Sequence, residues 1–142
     1  MTSAPFHYVG SELETFAQAR NWKSYLRQVL APFIRGRVLE VGAGIGSSTE
    51  ILCTGSESSW LCLEPDPALV SHLTRRVEVG SLPGNCIVMQ GQLSEGRRWG
   101  KFDTILYIDV LEHIERDDEE LRTATDRLTE GGNLAIVAPA HQ

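Results

Sequence analysis

Five short apolar runs recur along the chain: RVLEV (37–41), WLCLE (60–64), CIVMQ (86–90), FDTILYI (102–108) and NLAIVA (133–138). Each is short for a helix and nearly continuous in its hydrophobicity, which is the pattern of a strand covered on both faces. Helical spacing fills several of the gaps between them. Strands that need cover on both sides, alternating with helices, lead to an α/β fold with a parallel sheet between helical layers. Its crossovers are expected to be right-handed and its ligands to lie beyond the carboxyl ends of the strands.

Punctuation residues place the helices. In 12–30, Leu13, Phe16, Ala17, Leu26, Val29 and Leu30 recur at roughly helical spacing, and Pro32 follows as a stop. This predicts one N-terminal helix, or two breaking near Asn21. Ser47 and Glu50 have capping-box spacing, so a helix is expected to begin at Ser47. Pro67 suits the first turn of the next helix. Asp117 and Glu120 repeat the capping-box spacing, and Leu121, Ala124 and Leu128 form an apolar stripe that ends at Gly131-Gly132. At 142 residues, with no repeat or linker, the chain reads as a single domain, 1–142: a helical segment over 1–35, then an α/β core over 36–142.

Charge and cysteine usage narrow the function. With 13 basic and 19 acidic residues the net charge is −6, so a nucleic-acid backbone is an unfavourable partner. No apolar stretch approaches the length of a membrane span, and MTSAPFHYVG lacks the basic and apolar regions of a signal peptide. Cys53, Cys62 and Cys86 form no C-x-x-C pair, which leaves zinc and redox motifs without support and suits a reducing cytoplasm. The acidic run ERDDEE (115–120) reads as a solvated helix start favoured by the macrodipole, and no metal site is expected. His7, His72 and His141 read as surface groups.

The segment VLEVGAGIG (38–46) carries the chemistry. A glycine-rich turn between a strand and a helix is where a Rossmann-like ligand site belongs, although glycines also serve ordinary turns. Glu64, 18 residues after Gly46 and ending the second strand, can accept both hydroxyl hydrogens of a ribose. A dinucleotide would place its diphosphate on the loop, but Ser47 stands where the third fingerprint glycine belongs. Glu40 would also face the diphosphate as a like charge, at a cost of several kcal/mol. A ribose-bearing cofactor with a cationic group in place of phosphate, such as S-adenosylmethionine, reverses that sign.

These residues also carry a family resemblance. VLEVGAGIGSST resembles motif I of the class I S-adenosylmethionine-dependent methyltransferases, E/D-x-G-x-G-x-G. LCLEPDPALV resembles their second motif. The segment from FDTILYIDVLEHI to LTEGGNLAIVAPA is similar to their fourth strand, following helix and fifth strand. The resemblance implies a Rossmann-like three-layer sandwich. Its five strands take the order 3-2-1-4-5, and the strands 6 and 7 usual in the family are missing. It also implies that Glu40, Gly42, Ala43, Gly44 and Gly46 line the methionyl end of the cofactor, with Thr49 helping from the first helical turn. Glu64 would bind the ribose, with Pro65 and Asp66 beside the ribose or adenine. Where many members present an acid to the adenine amine, this chain has Gly91-Gln92-Leu93. Gln92 can still accept, without charge. Asp109 would sit near the transferring methyl or the methionyl amine.

The expected activity is methyl transfer from S-adenosylmethionine to a small-molecule or other non-nucleic-acid acceptor. Oxygen is mildly favoured because no N-P-P-Y type signature follows the fourth strand. Such a transfer relies on proximity and orientation more than on acid–base help. His113 is the candidate general base, with Asp109 beside the chemistry, although a plain turn-forming role for His113 is preferred. Trp22 is expected in the core and Tyr8 as a lid over the cofactor. The chain is expected to be a piece of a longer protein. Otherwise the open edge of the fifth strand would be covered by a second subunit, as in a homodimer. Two other readings compete: a cofactor-binding module without catalysis, and an NAD-dependent oxidoreductase.

Overall fold

The computed structural model describes residues 5–95 and 97–140, with 5–17 and 97 by backbone alone. A long helix, α1 (Pro5–Leu30), and a 3₁₀ turn (Ala31–Phe33) lead into β1 (Arg37–Val41). Then follow α2 (Ser47–Leu52), β2 (Ser59–Glu64), α3 (Pro67–Glu78) and β3 (Cys86–Gln90). The chain continues through β4 (Phe102–Ile108), α4 (Asp117–Asp126) and β5 (Leu128–Val137). All four pairings are parallel and the sheet order is β3-β2-β1-β4-β5, as the resemblance implied.

Strand alternation divides the core into two layers. Val38, Trp60, Cys62 and Leu106 face Leu26 and Leu30 of α1, Leu52 of α2 and Leu73 of α3. Leu39, Val41, Leu61, Leu63, Ile105 and Tyr107 face the opposite layer, where Ala124 of α4 packs together with Leu93. Among its described residues, the connection between β3 and β4 contributes 3₁₀ turns, Leu93–Glu95 and Arg97–Trp99, to this second layer. With no full helix in that crossover, space is left beside the carboxyl ends of the strands.

Several local expectations change in the folded chain. The N-terminal helix is continuous through Asn21 and begins at Pro5, because no glycine or proline interrupts it between Ser11 and Leu30. Leu26 and Leu30 set its buried face, and the same period turns Trp22 (46% exposed) and Tyr25 (57%) to the surface, their rings 5.9 Å apart. Trp22 is therefore not a core residue. The backbone of Tyr8 lies in α1, but its side chain falls outside the described residues, as do the side chain of His7 and all of His141. His72 is exposed and all three cysteines are buried.

Neither capping box forms. Gly46, at φ 88°, is the N-cap of α2, and Glu50 pairs instead with Arg76 at 3.2 Å. Arg116 is the N-cap of α4, and Glu120 instead accepts a hydrogen bond from Tyr107. The cap of α3 does form: Asp66 accepts from the Ala68 N–H at 2.8 Å, with Pro67 opening the helix. Finally, β5 begins at Leu128, five residues before the expected Asn133. Leu128 pairs with Phe102, and a register shift then absorbs the two glycines before Asn133 meets Thr104. Among the described residues, no helix is long and apolar enough to cross a membrane, and no cluster of three or more His, Cys, Asp or Glu is placed to hold a metal ion.

Candidate functional site

A cleft of about 420 Å³ opens at the carboxyl ends of β1, β2, β3 and β4. Its walls include Val41 and Gly42 at the end of β1, Glu64 and Pro65 at the end of β2, and Gly91, Gln92 and Leu93 after β3. Val110, His113, Ile114 and Glu120 close it from the β4 side. This is the position in which an open parallel sheet binds ligands. Two carboxylates line the cleft, and no lysine or arginine is among its described lining residues. Such a surface suits a ligand rich in hydrogen-bond donors or positive charge and opposes a diphosphate.

Glu64 organises the glycine loop. Its Oε1 accepts from the Gly44 N–H at 3.0 Å and its Oε2 from the Asp66 N–H at 2.9 Å, while the residue is almost wholly buried. The loop is held again from below, where the N–H groups of Gly42 and Ala43 both donate to the Leu63 carbonyl, at 2.8 and 3.1 Å. Gly42 admits no side chain: at φ 70° a Cβ would lie 2.7 Å from Val110 Cγ2, and Val110 itself walls the cleft. Gly46 is required by packing. A Cβ there would meet Leu73 Cδ2 and the Arg76 guanidinium at 3.0 Å. Arg76 straps this corner through the Ile45 carbonyl at 2.9 Å and Glu50 at 3.2 Å.

The other sequence-predicted residues take different positions around the cleft. Glu40 is only 2% exposed and turns away from the cleft, into the layer of Val38, Trp60 and Cys62. Its Oε1 accepts from Thr49 Oγ1 at 2.6 Å and from the Trp60 indole N–H at 3.0 Å. Burial pushes the Glu40 carboxyl up to about 7, against the opposing pull of those two donors. Thr49 is buried with it, so both act from behind the loop. Asp66 caps α3 on the surface. Asp109 follows β4 in an unusual backbone conformation (φ 55°), exposed, with its N–H donated to the Val137 carbonyl at 2.8 Å. His113 lines the cleft mouth with its side chain 77% exposed, 3.6 Å from Glu112. Its backbone N–H donates to the Val110 carbonyl at 2.9 Å, consistent with the turn role.

Sequence reasoning missed Val110, Ile114 and Glu120 as walls of the site. Glu120 carried a usable signal: it lies four residues before the buried Ala124, on the inner stripe of α4, whereas Asp117, Asp118 and Glu119 are exposed. Its Oε1 receives the Tyr107 hydroxyl at 2.9 Å.

Comparison with known proteins agrees with this geometry. A family model described as a methyltransferase domain matches residues 39–134, from the first strand into the last. The chain belongs to this methyltransferase family. The family uses S-adenosylmethionine. A search of curated proteins by sequence finds no match. Among solved structures, the glycopeptide N-methyltransferase MtfA complexed with S-adenosyl-L-methionine is 21% identical, with a TM-score of 0.66. The alignment covers 80% of this chain and 51% of MtfA. MtfA has also been solved with sinefungin and with S-adenosyl-L-homocysteine. The StiE O-methyltransferase segment is 22% identical with a TM-score of 0.68, covering 80% of this chain and 42% of that one. A precorrin 8w decarboxylase from Methanobacterium thermoautotrophicum is 22% identical with a TM-score of 0.66, covering 84% and 63%. At these identities the likeness shows a shared fold. The methyltransferase domain spans about half the length of most of these structures.

The substitution Gly42→Ala tests the loop of this methyltransferase domain. The added methyl forces Val110 into the cleft and strains the backbone, so stability is expected to fall by about 2 kcal/mol. Affinity for S-adenosylhomocysteine is expected to fall about tenfold. Thermal unfolding and calorimetric titration read the two effects, and an unaltered affinity would remove Gly42 from the ligand wall.

Proposed function

We propose that the chain binds S-adenosylmethionine in the cleft at the carboxyl ends of β1–β4 and transfers its methyl group to a small-molecule or other non-nucleic-acid acceptor, at oxygen. The observation that carries the reading is the buried Glu64 carboxylate, fixed beside the glycine loop in a cleft lined by two acids and no described lysine or arginine. Bound there, the cofactor would supply an electrophilic methyl carbon on a sulfonium.

The chain's own residues orient and exclude water. Glu64 can accept the ribose hydroxyls, since each of its oxygens holds one backbone N–H and retains accepting capacity. Gly42 and Gly44 present backbone at the methionyl end, and Asp109 offers a carboxylate at the adjoining end of β4. Leu63, Pro65, Leu93, Val110 and Ile114 form apolar walls suited to a purine face. His113 at the mouth shields the cleft or takes a proton from an acceptor hydroxyl. Positioning alone can contribute about 7–11 kcal/mol in favourable cases. The net charge of −6 supports an acceptor other than nucleic acid.

Titration calorimetry with S-adenosylmethionine, S-adenosylhomocysteine and NAD tests the reading. Saturable binding of both adenosyl ligands, with none for NAD, is the expected result. Binding of NAD alone would replace the proposal with an oxidoreductase. Binding of the adenosyl ligands with no S-adenosylhomocysteine released across a panel of hydroxyl, amine and carbon acceptors would favour a non-catalytic module.

A further inference from the structure

We infer that Glu120 reads the exocyclic amine of the adenine, a specificity role that rests on the cofactor reading above. An adenosyl ligand brings three sets of donors to the cleft: two ribose hydroxyls, an exocyclic amine and an ammonium. Glu64 stands at the end of β2 for the hydroxyls, and Gly42 opens the glycine loop after β1 for the methionyl end. The amine needs an acceptor on the β3 side of the cleft. Gln92 is there but is surface-exposed, and its backbone N–H is tied to Glu95 at 3.0 Å. Glu120 is the other polar group on that side. It projects from the inner face of α4, which packs against the 3₁₀ turn Leu93–Glu95 directly after β3.

The local chemistry keeps Glu120 an acceptor. The Tyr107 hydroxyl, rooted in β4 and buried among Leu39, Leu63 and Phe102, donates to its Oε1 at 2.9 Å. Burial and the neighbouring carboxylate push the Tyr107 phenol above its ordinary range, so it stays protonated and keeps donating. A carboxylate oriented in this way has further lone pairs for a ligand N–H and no hydrogen to donate. It therefore accepts from a 6-amino purine and repels the carbonyl of a 6-oxo purine.

The test compares S-adenosylhomocysteine with S-inosylhomocysteine, in which a 6-oxo group and an N1–H replace the 6-amino group and bare N1, by calorimetry on the same protein. The wild-type chain is expected to favour the adenosyl ligand at least tenfold. In Glu120→Gln, whose amide can donate to the 6-oxo group, the preference is expected to shrink to within threefold. Tyr107→Phe removes the same Tyr–Glu hydrogen bond but leaves the carboxylate, and is expected to retain the preference. This control separates reading the base from merely bracing the helix. A wild-type chain that binds both ligands equally overturns the inference, as does Glu120→Gln with the wild-type ratio or Tyr107→Phe with a ratio as small as that of Glu120→Gln. Loss of the preference in Gln92→Ala alone moves the role to Gln92. A wild-type chain that binds neither ligand fails the cofactor reading itself, which is a different result from binding without discrimination.

Discussion

Replacing Glu64 by alanine is expected to lower affinity for S-adenosylhomocysteine at least a hundredfold. Two losses combine. The ribose loses an ionised acceptor, and the glycine loop loses the strut that fixes the Gly44 N–H at 3.0 Å while Asp66 is held at 2.9 Å. Each charge-assisted hydrogen bond of this kind is worth about 1.5–3 kcal/mol, so the ribose contacts alone account for roughly two powers of ten. Glu64→Gln separates the parts. Its side-chain oxygen can still accept from Gly44, but it presents an N–H to Asp66 and only one acceptor oxygen to the ribose. An intermediate affinity is expected, with a loss of thermal stability of about 1–3 kcal/mol from the unpaired Asp66 N–H. Calorimetry on the two variants reads the effect, and an Ala variant that binds like wild type would end the ribose assignment.

The architecture was legible because it depends on local pattern. Four of the five strands lie within one residue of the apolar runs that announced them, and their continuous hydrophobicity implied cover on both faces. The side-chain partnerships were less legible because distant residues compete for them. Ser47 with Glu50 and Asp117 with Glu120 have correct capping spacing, but Arg76 takes Glu50 and Tyr107 takes Glu120. These competitors lie 26 residues after and 13 residues before their respective partners, beyond any local window. Trp22 was misplaced for a similar reason. Helical periodicity allows several faces, and only the docking of Leu26 and Leu30 chooses one.

The cleft shows the same division. Glu64 and the glycines could be found from motif position. Val110, Ile114 and Glu120 line the cleft from the segment after β4 and from α4, beside a β3–β4 connection whose described residues form short 3₁₀ turns. Glu40 is the instructive case. Strand alternation puts it on the face of Val38, opposite Val41, but which face holds the cleft depends on the unequal helical layers. Its carboxylate lies behind the loop, where it braces Thr49 and Trp60.

That burial makes stability depend on pH with a definite sign. Glu40 titrates near 4.5 when unfolded and at about 7 when folded, because desolvation penalises its charge. Below 4.5 it is protonated in both states and its full contribution is present. As pH rises toward 7 the unfolded chain releases this proton while the folded chain retains it, so stability falls, and it levels off above the folded pKa. The interval corresponds to about 3 kcal/mol. Urea unfolding between pH 5 and 8.5 is expected to show the decline in wild type and to lose most of it in Glu40→Gln, which is uncharged at every pH. An unchanged slope in that variant would place the titration elsewhere. Ligand binding provides the second reading. Cationic S-adenosylmethionine held on the far side of the loop favours ionised Glu40, so binding near pH 7 is expected to release protons. Calorimetry in buffers of different ionisation enthalpy counts them. Release is expected to be smaller with S-adenosylhomocysteine, which lacks the sulfonium charge, and absent in Glu40→Gln. Equal release with both ligands would show that the glutamate does not sense the sulfonium charge from its buried position.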